Sequence, residues 1–334
     1  QDQPGATATE RRPAPLLHEM FQDHAVLQRN APIRVWGQAG PGQAVKVTLA
    51  RKQASARADE NGRWQATLPP MAAGGPYTLN VSAQGGRKQT VDDVMVGEVW
   101  LCSGQSNMVL QVHRTLDSRP EIAGSANDSI RMLTVGETGS VTPLEHFATP
   151  VKWLKASPDT VGDFSAACFY YARELQKTVK VPMGLVTAAW GGSRIQAWTS
   201  GVALRASGQY DDELDVLASY TKDRVAALGQ WGEVWGKWWR GRKDFKAGDE
   251  PWTAGYAATE GWRNAPRAPG PWEEWGEKDL AAYDGMVWFR TSVTLTGQQA
   301  GIRAAIPFLM ASDAPRIINI SSTEALGASA GFSA

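Results

Sequence analysis

The sequence predicts an α/β protein: a parallel-sheet core preceded by an N-terminal β-sandwich, with a second β-rich module that is inserted into the core or follows it. Before residue 91, apolar and polar residues alternate, which is typical of antiparallel strands with one buried face. Residues 94–102 and 181–189 are nearly continuous apolar runs, and such runs indicate strands that are covered on both faces. Residues 241–296 are rich in Trp, Gly and Pro, and their last part alternates again.

The predicted sandwich covers residues 15–91. Its strands are short alternating runs, such as the one that contains Val45, Val47 and Leu49. Turn signals separate the runs, for example the Gly-Pro-Gly at 40–42 and the Asn-Gly at 61–62. No group of residues here suggests a reaction, so we interpret this part as structural.

The predicted α/β unit covers residues 92–240. Its first buried strand leads directly into residues 103–108, and Asp163 or Ser165 can cap a helix that continues to about residue 178. The second buried strand ends at Trp190, and residues 204–240 are helical and charged in pattern. Because ligands gather at the carboxyl ends of parallel strands, we expect a site where these two strands end.

Ser106 is the candidate nucleophile. The segment 104–107 (GQSN) places a serine on a tight turn after a buried strand, and such a turn lifts the hydroxyl clear of the sheet. The N–H of Ser106, with that of Gly191 or Gly192 after the neighbouring strand, would form an oxyanion hole. These residues alone leave open the alternative that Ser106 is only a helix N-cap.

The block at residues 97–108 (GEVWLCSGQSNM) resembles the signature of the sialate O-acetylesterase family, within the SGNH-type hydrolases. Further similar stretches follow the family's order, so that the resemblance covers about residues 15–296. They are residues 21–29, 33–37, 74–79, 164–175, 181–185, 190–198 and 284–291. The resemblance implies an SGNH-like core, incomplete in this chain, with a β module at 241–296.

The same resemblance implies a secreted serine esterase that hydrolyses O-acetyl esters of carbohydrates, either sialic acids or plant polysaccharides. Ser106 would attack the acetyl carbonyl, and water would then release the acetyl group from the serine. Gln105 and Asn107, in the signature block, are predicted to contact the acetylated sugar. Arg194 and Trp198 are predicted to do so as well, although a surface arginine and a packed tryptophan fit the sequence equally.

The sequence departs from the family at the general base. The family's base is a histidine in an Asp-x-x-His-Pro context after a Gln-Gly-Glu block, and residues 1–334 contain neither. On a continuous helix His113 would lie about 10 Å along the axis from Ser106, too far for a direct bond. His146 falls in a Pro-containing loop and stays open as a base. A catalytically incomplete carbohydrate-binding protein is therefore the alternative, supported by fifteen tryptophans, whose rings stack on sugars.

Residues 297–334 form an atypical tail. Residues 301–307 and 316–322 resemble the middle of a short-chain dehydrogenase, where Ser321 or Ser322 would match that family's catalytic serine. The family's glycine-rich nucleotide turn and its Tyr-x-x-x-Lys are not found in the sequence, so an oxidoreductase is not favoured. A fusion, a frameshift or a truncation explains the tail more simply.

Composition restricts the partners. Lys plus Arg and Asp plus Glu both number 34, which gives no electrostatic reason to expect nucleic acid or an anionic membrane as a partner. No apolar run approaches the roughly 18 residues of a membrane span. We expect no cofactor, and no metal, since no His, Asp or Glu group has ligand spacing. The sequence indicates no oligomeric state.

Two further features concern the compartment. Cys102 and Cys168 lie in apolar surroundings, and we expect both to be buried free thiols. The sequence starts at Gln1 with a polar stretch, which favours a mature chain after removal of a signal peptide, secreted or periplasmic.

Overall fold

The computed structural model describes residues 15–253, 256, 262–266, 271–283, 287–289 and 294. These described residues divide into two compact units, one that ends at Thr199 and one that begins at Ser200. The strands of the first unit are β1 (Val26–Gln28), β2 (Ile33–Gln38), β3 (Ala44–Leu49), β4 (Lys52–Arg57), β5 (Arg63–Leu68), β6 (Gly74–Ala83), β7 (Lys88–Gly104), β8 (Asn127–Thr134), β9 (Trp153–Ala156) and β10 (Met183–Ala189). Its helices are α1 (Ser106–Val109), α2 (Ser118–Ala123) and α3 (Ala166–Val179), with 3₁₀ turns at Val112–Arg114 and Ile195–Trp198.

The N-terminal strands form a β-sandwich. Antiparallel β4, β3, β6 and the first part of β7 make one sheet, and the antiparallel pair β2 and β5 makes the other. Val35 and Trp64 from the pair meet Val47 and Val81 from the larger sheet in one buried apolar cluster. The alternation in the sequence is the cause, because every second side chain of these strands turns into this core.

Strand β7 belongs to two sheets. Its residues up to Val96 pair antiparallel with β6, and its residues from Glu98 to Gly104 pair parallel with β10. The boundary predicted between residues 91 and 92 therefore lies inside one continuous strand. As a result, the sandwich passes into the parallel sheet without a linker.

Beyond β7 the sheet continues as β10, β8 and β9, of which β10 is parallel to both of its neighbours and β9 is antiparallel to β8. Helix α3 covers one face, where Phe169 and Ala172 pack in one cluster with Ile130 and Leu185. Its N-cap is Ser165, whose side chain accepts a hydrogen bond from the N–H of Cys168. The predicted helix and its cap are thus confirmed, with Ser165 rather than Asp163 as the cap.

The expectation of two free thiols is wrong, because Cys102 and Cys168 form a disulfide with a Cα–Cα distance of 5.9 Å. Cys102 lies on β7 and Cys168 on the buried side of α3. Both side chains belong to the apolar cluster between sheet and helix. The apolar residues next to each cysteine in the sequence indicate that both cysteines are buried. Whether the two form a disulfide depends on how α3 crosses the sheet, which the local sequence does not show.

The second unit begins with α4 (Gly201–Ser207), α5 (Asp211–Tyr220) and α6 (Arg224–Arg240), which confirms the helical prediction for this segment. A 3₁₀ turn follows at Trp272–Glu274. The described residues after 240 contain turns and this 3₁₀ turn but no strand. Most of the alternating segment 285–295 and the whole tail 297–334 lie outside the described residues, so these predictions stay untested.

Tryptophan rings cluster in the second unit. Trp239, on α6, lies 5.5 Å from Trp235, 5.4 Å from Trp252 and 5.8 Å from Trp288, measured between ring centroids. Trp239 is buried, whereas Trp238 beside it is exposed. Four of the fifteen tryptophans therefore form one local aromatic cluster around Trp239. In the part of the chain that the structure covers, none of the helices combines the length and hydropathy of a membrane span.

Candidate active site

The carboxyl ends of β7 and β10 meet at one edge of the parallel sheet. Gly104 lies opposite Ala189 in the register, and the N–H of Trp190 donates to the carbonyl oxygen of Gly104 at 3.0 Å. Both chains turn immediately afterwards. Gly104 and Gly192 have φ values of 154° and 77°, in the range that favours glycine because it has no Cβ. The sheet therefore holds two glycine-containing turns side by side.

Ser106 is the first residue of α1 and its side chain is exposed. The turn after β10 lies directly against it: a Cβ placed on Gly191 would be 3.8 Å from both Cα and Cβ of Ser106. The structure thus brings Ser106 together with the two glycines that the sequence analysis singled out. These residues are 85 or more positions apart in the chain, and the parallel pairing of β7 with β10 unites them.

The N-cap alternative for Ser106 is wrong. Gln105 holds the N-cap position of α1, and no side-chain capping bond is present there. The hydroxyl of Ser106 instead donates to Oε1 of Gln105 at 2.9 Å. The N–H of Gly192 donates to the same oxygen at 3.4 Å. The side chain of Gln105 therefore bridges the serine and the glycine turn.

The other predicted contact residues surround this corner. Asn107 is exposed on α1, and Arg194 is exposed just after the glycine turn. Trp198 is 40% exposed, so a fully packed ring is not what the structure shows. Its Nε1 donates to Oγ of Ser193 at 2.8 Å, and that hydroxyl donates to the carbonyl oxygen of Trp190 at 2.7 Å. These bonds fix the indole of Trp198 beside the turn.

Trp190 is a candidate that the sequence analysis missed. It follows β10 directly, its backbone bonds to Gly104, and its ring is 41% exposed. A large aromatic ring left partly exposed at the carboxyl end of a buried strand is the signal that could have identified it.

The histidines that were considered as a general base bond to groups other than Ser106. Nδ1 of His113 lies 3.0 Å from the carbonyl oxygen of Gly162 and 3.2 Å from Oδ1 of Asp163. Nδ1 of His146 lies 3.0 Å from both carboxylate oxygens of Glu19. Helix α1 ends at Val109, so the distance estimated for His113 along a continuous helix does not apply. Within the described residues, the hydroxyl of Ser106 has Gln105 as its hydrogen-bond partner and no histidine.

One group of described side chains could offer ligands to a metal ion. Ligand atoms of His18, Glu19 and His146 lie within 4.8 Å of one another. Sequence spacing could not reveal this group, because folding brings His146 to residues 127 and 128 positions earlier. Burial raises the pKa of Glu19, but the hydrogen bond from His146 and the attraction of both histidines outweigh it and hold that pKa below its usual value.

The hydrogen bonds of His18 argue against metal ligation by this group. Its Nδ1 accepts from the N–H of Met20 at 3.1 Å, which places a ring proton on Nε2, and Nε2 donates to the carbonyl oxygen of Glu145 at 2.9 Å. A metal on Nε2 would have to replace that proton while Nδ1 remained an acceptor, which the neutral imidazole does not allow. The group is better explained as a network that ties the loop at 145–146 to the sandwich.

An exposed serine at the carboxyl end of a parallel strand, beside a glycine turn whose Gly192 N–H is directed to the adjacent side chain of Gln105, is typical of the class of α/β proteins with a serine-hydrolase-like site. The comparisons with known proteins agree with this class. A family model described as carbohydrate esterase, sialic acid-specific acetylesterase, matches residues 96–234. Residues 96–234 are therefore similar to that family.

The curated sialate O-acetylesterases of Homo sapiens and Mus musculus are 35% and 32% identical to the chain over 202 and 205 residues. These alignments cover 55% and 56% of this chain and 38% of each relative. The chain therefore spans less than half the length of the curated relatives that it matches. A crystal structure of a carbohydrate acetylesterase from Xanthomonas citri is 38% identical, with a TM-score of 0.55, and covers 57% of this chain and 44% of that one.

Proposed function

We propose that this chain carries the nucleophile of an SGNH-type esterase that removes acetyl groups from carbohydrates, with Ser106 in that role. One observation supports the proposal most directly. The exposed hydroxyl of Ser106 lies at the end of β7 against the Gly191–Gly192 turn, inside the segment that matches the acetylesterase family model.

In the proposed reaction, Oγ of Ser106 attacks the carbonyl carbon of the acetyl ester while its proton passes to a base. The carbonyl oxygen gains negative charge, and the N–H groups of Ser106 and Gly192 donate to it. The C–O bond to the sugar then breaks, and the sugar oxygen leaves with a proton. Water cleaves the acetyl-serine in a second step and releases acetate.

The general base that takes the proton of Ser106 determines the rate of ester hydrolysis that we expect. Since no histidine contacts the hydroxyl of Ser106 among the described residues, proton removal in this chain falls to solvent or to a poorly placed group. A hydrolase that lacks a triad member retains about 10³–10⁴-fold catalysis over water through its oxyanion hole and substrate binding. We therefore propose slow turnover together with a serine that still reacts with strong electrophiles.

The substrate class follows from what surrounds Ser106. The partly exposed rings of Trp190 and Trp198 offer apolar faces on which a sugar can stack. The guanidinium of Arg194, exposed after the same turn, would pair with the carboxylate of a sialic acid. The disulfide between Cys102 and Cys168 supports a secreted or periplasmic location, because disulfides persist in oxidising compartments.

Hydrolysis of a chromogenic acetate ester by the wild type and by Ser106→Ala tests the proposal, together with labelling by a fluorophosphonate probe located by mass spectrometry. We expect Ser106 to carry the label and Ser106→Ala to lose both label and ester hydrolysis. Ser55→Ala, at an exposed serine on β4, is the matched control and should behave as the wild type. Equal hydrolysis by wild type and Ser106→Ala would remove Ser106 from the mechanism, and sugar binding without labelling would favour a binding protein instead.

A further inference from the structure

The side chain of Gln105 lies between two groups that the proposed reaction needs. Its Oε1 accepts from the hydroxyl of Ser106 at 2.9 Å and from the N–H of Gly192 at 3.4 Å. We propose that Gln105 is a positioning residue whose amide oxygen occupies the place of the substrate's acetyl oxygen until the substrate displaces it. This inference rests on the function proposed above.

The chemical match is the first argument. The oxygen of a carboxamide and the carbonyl oxygen of an acetyl ester are both sp² acceptors with partial negative charge, so they suit the same donors. With Oε1 of Gln105 in place, the N–H of Gly192 is already engaged and is not available to a substrate. A substrate carbonyl therefore competes with Gln105 for the same N–H.

The direction of the Ser106 proton is the second argument. Its hydroxyl donates to Gln105, so the proton points to a neutral amide that cannot accept it as a base. Attack on an ester requires that proton to point to a base or to water. The contact with Gln105 thus holds Ser106 in an unreactive orientation.

Displacement of the Gln105 side chain by a substrate requires little rearrangement. The backbone around Gln105 is fixed by the Gly104 turn and the start of α1, whereas its side chain is exposed and can rotate into water. Neutral hydrogen bonds have small net strength because water replaces them. The hydrogen bonds to the Gln105 side chain should therefore lower the rate at which Ser106 reacts only about three- to tenfold.

Two variants of the full chain separate hydrogen bonding from bulk. Gln105→Met keeps the length of the side chain without a strong acceptor, and Gln105→Ala removes both. We expect fluorophosphonate to label Ser106 about three- to tenfold faster in both variants than in the wild type. The same changes at Gln53, exposed on β4, are the matched controls and should leave the rate unchanged. Thermal unfolding followed by circular dichroism establishes that every variant is folded.

Gln105→Glu supplies a readout that a purely structural role would not give. Its carboxylate would hold both donors more strongly and repel a developing oxyanion, so labelling should fall about tenfold or more at pH 7. The ratio of variant to wild-type rate should then rise as the pH falls through the carboxyl's pKa, ordinarily about 4.3. Gln53→Glu should show no such step.

The outcomes distinguish the two proposals. If Ser106 of the wild type is labelled but Gln105→Met and Gln105→Ala react at the wild-type rate or more slowly, the role of Gln105 is overturned and the proposed function stands. If neither the wild type nor Gln105→Ala reacts faster than Ser106→Ala, both proposals are overturned. Faster labelling in both variants with the pH step in Gln105→Glu supports the role.

Discussion

His113, which the sequence analysis placed too far from Ser106, and His146, which it left open as a base, are both held by backbone or carboxylate oxygens. His113 faces Gly162 and Asp163, and His146 faces Glu19, away from any bond to Ser106. We therefore expect His113→Ala and His146→Ala to change Ser106-dependent ester hydrolysis by less than about tenfold, because a true general base contributes about 10²–10⁴-fold. Initial rates with the chromogenic ester measure this, and a loss of about 100-fold in either variant would make that histidine the base.

Asp93 is a second residue whose role can be tested. Its carboxylate pairs with Arg131 at 2.9 Å, Lys155 at 3.0 Å and His24 at 2.7 Å, and the Arg131 side chain is only 3% exposed. The hydrogen bond from Arg131 lowers the pKa of Asp93 most; burial opposes it, and bonds from Lys155 and His24 lower that pKa further. The network joins β7 to β8 and β9, the strands that carry these two cations.

Because the pKa of Asp93 is depressed in the folded state, its contribution to stability is complete above the ordinary Asp pKa of about 3.9 and is lost as the pH falls below it. Asp93→Asn should lower the free energy of unfolding by about 2–3 kcal/mol at pH 7, since it leaves the buried Arg131 without a carboxylate partner while its bond to the carbonyl oxygen of Asp128 remains. At pH 3 the difference should shrink by about 1 kcal/mol. Urea unfolding at both pH values measures it, with the exposed neighbour Asp92→Asn as control. A difference that does not change with pH would contradict the assignment.

At the scale of elements, the disulfide links the strand that leads to Ser106 with the helix that covers it. Cys102 precedes Ser106 on the same chain segment, and Cys168 lies on α3, so the bond closes a loop with a sequence separation of 66. Cys102→Ala/Cys168→Ala should lower the free energy of unfolding by about 2–4 kcal/mol, mainly because the unfolded chain gains freedom. Urea unfolding with and without dithiothreitol measures this. Reductant should destabilise the wild type and leave the double variant unchanged; a wild type that is equally stable in both conditions would exclude the bond.

The sequence predicted the buried strands at this scale because their patterns are continuous. The run at 181–189 matches β10, and the helical period before residue 178 matches α3. The start of β7 was missed for a physical reason: residues 88–96 alternate as part of a half-exposed antiparallel sheet, and the later residues pair in parallel with β10. Because this one strand contains two different hydrophobic patterns, the sequence predicts two separate elements. Coverage of the later residues of β7 on both faces, as their apolar run predicted, is wrong, because Cys102 is buried but Leu101 is 69% exposed.

The candidate site was predictable only in part for a related reason. Ser106 and Gly191 follow apolar runs, and the rule that parallel strands end at one edge is enough to bring them together. The bond from Gly192 to the side chain of Gln105 depends instead on turn geometry and on a rotamer, which no local pattern encodes. The disulfide and the group at His18 likewise join residues that only tertiary packing brings close.

At the scale of the whole molecule, residues 15–199 contain what an independent fold needs. The sandwich has its own apolar core, the parallel sheet has two more, and both share β7. The disulfide and the Asp93 network lie within the same unit. Every residue of the Ser106 corner, including Trp198, also belongs to it.

We therefore expect a chain of residues 15–199 to fold by itself, with a cooperative urea transition, the Cys102–Cys168 bond, and fluorophosphonate labelling of Ser106 within about threefold of the full-length rate. Circular dichroism, thiol titration and mass spectrometry measure these properties. A chain of residues 15–181 is the matched control. It lacks β10, which lies between β7 and β8, so the parallel sheet would lose its central strand and the glycine turn beside Ser106. If the chain of residues 15–199 were as unfolded as the chain of residues 15–181, the first unit would depend on residues after 199 for its stability. The two compact units would then not be independent folding units.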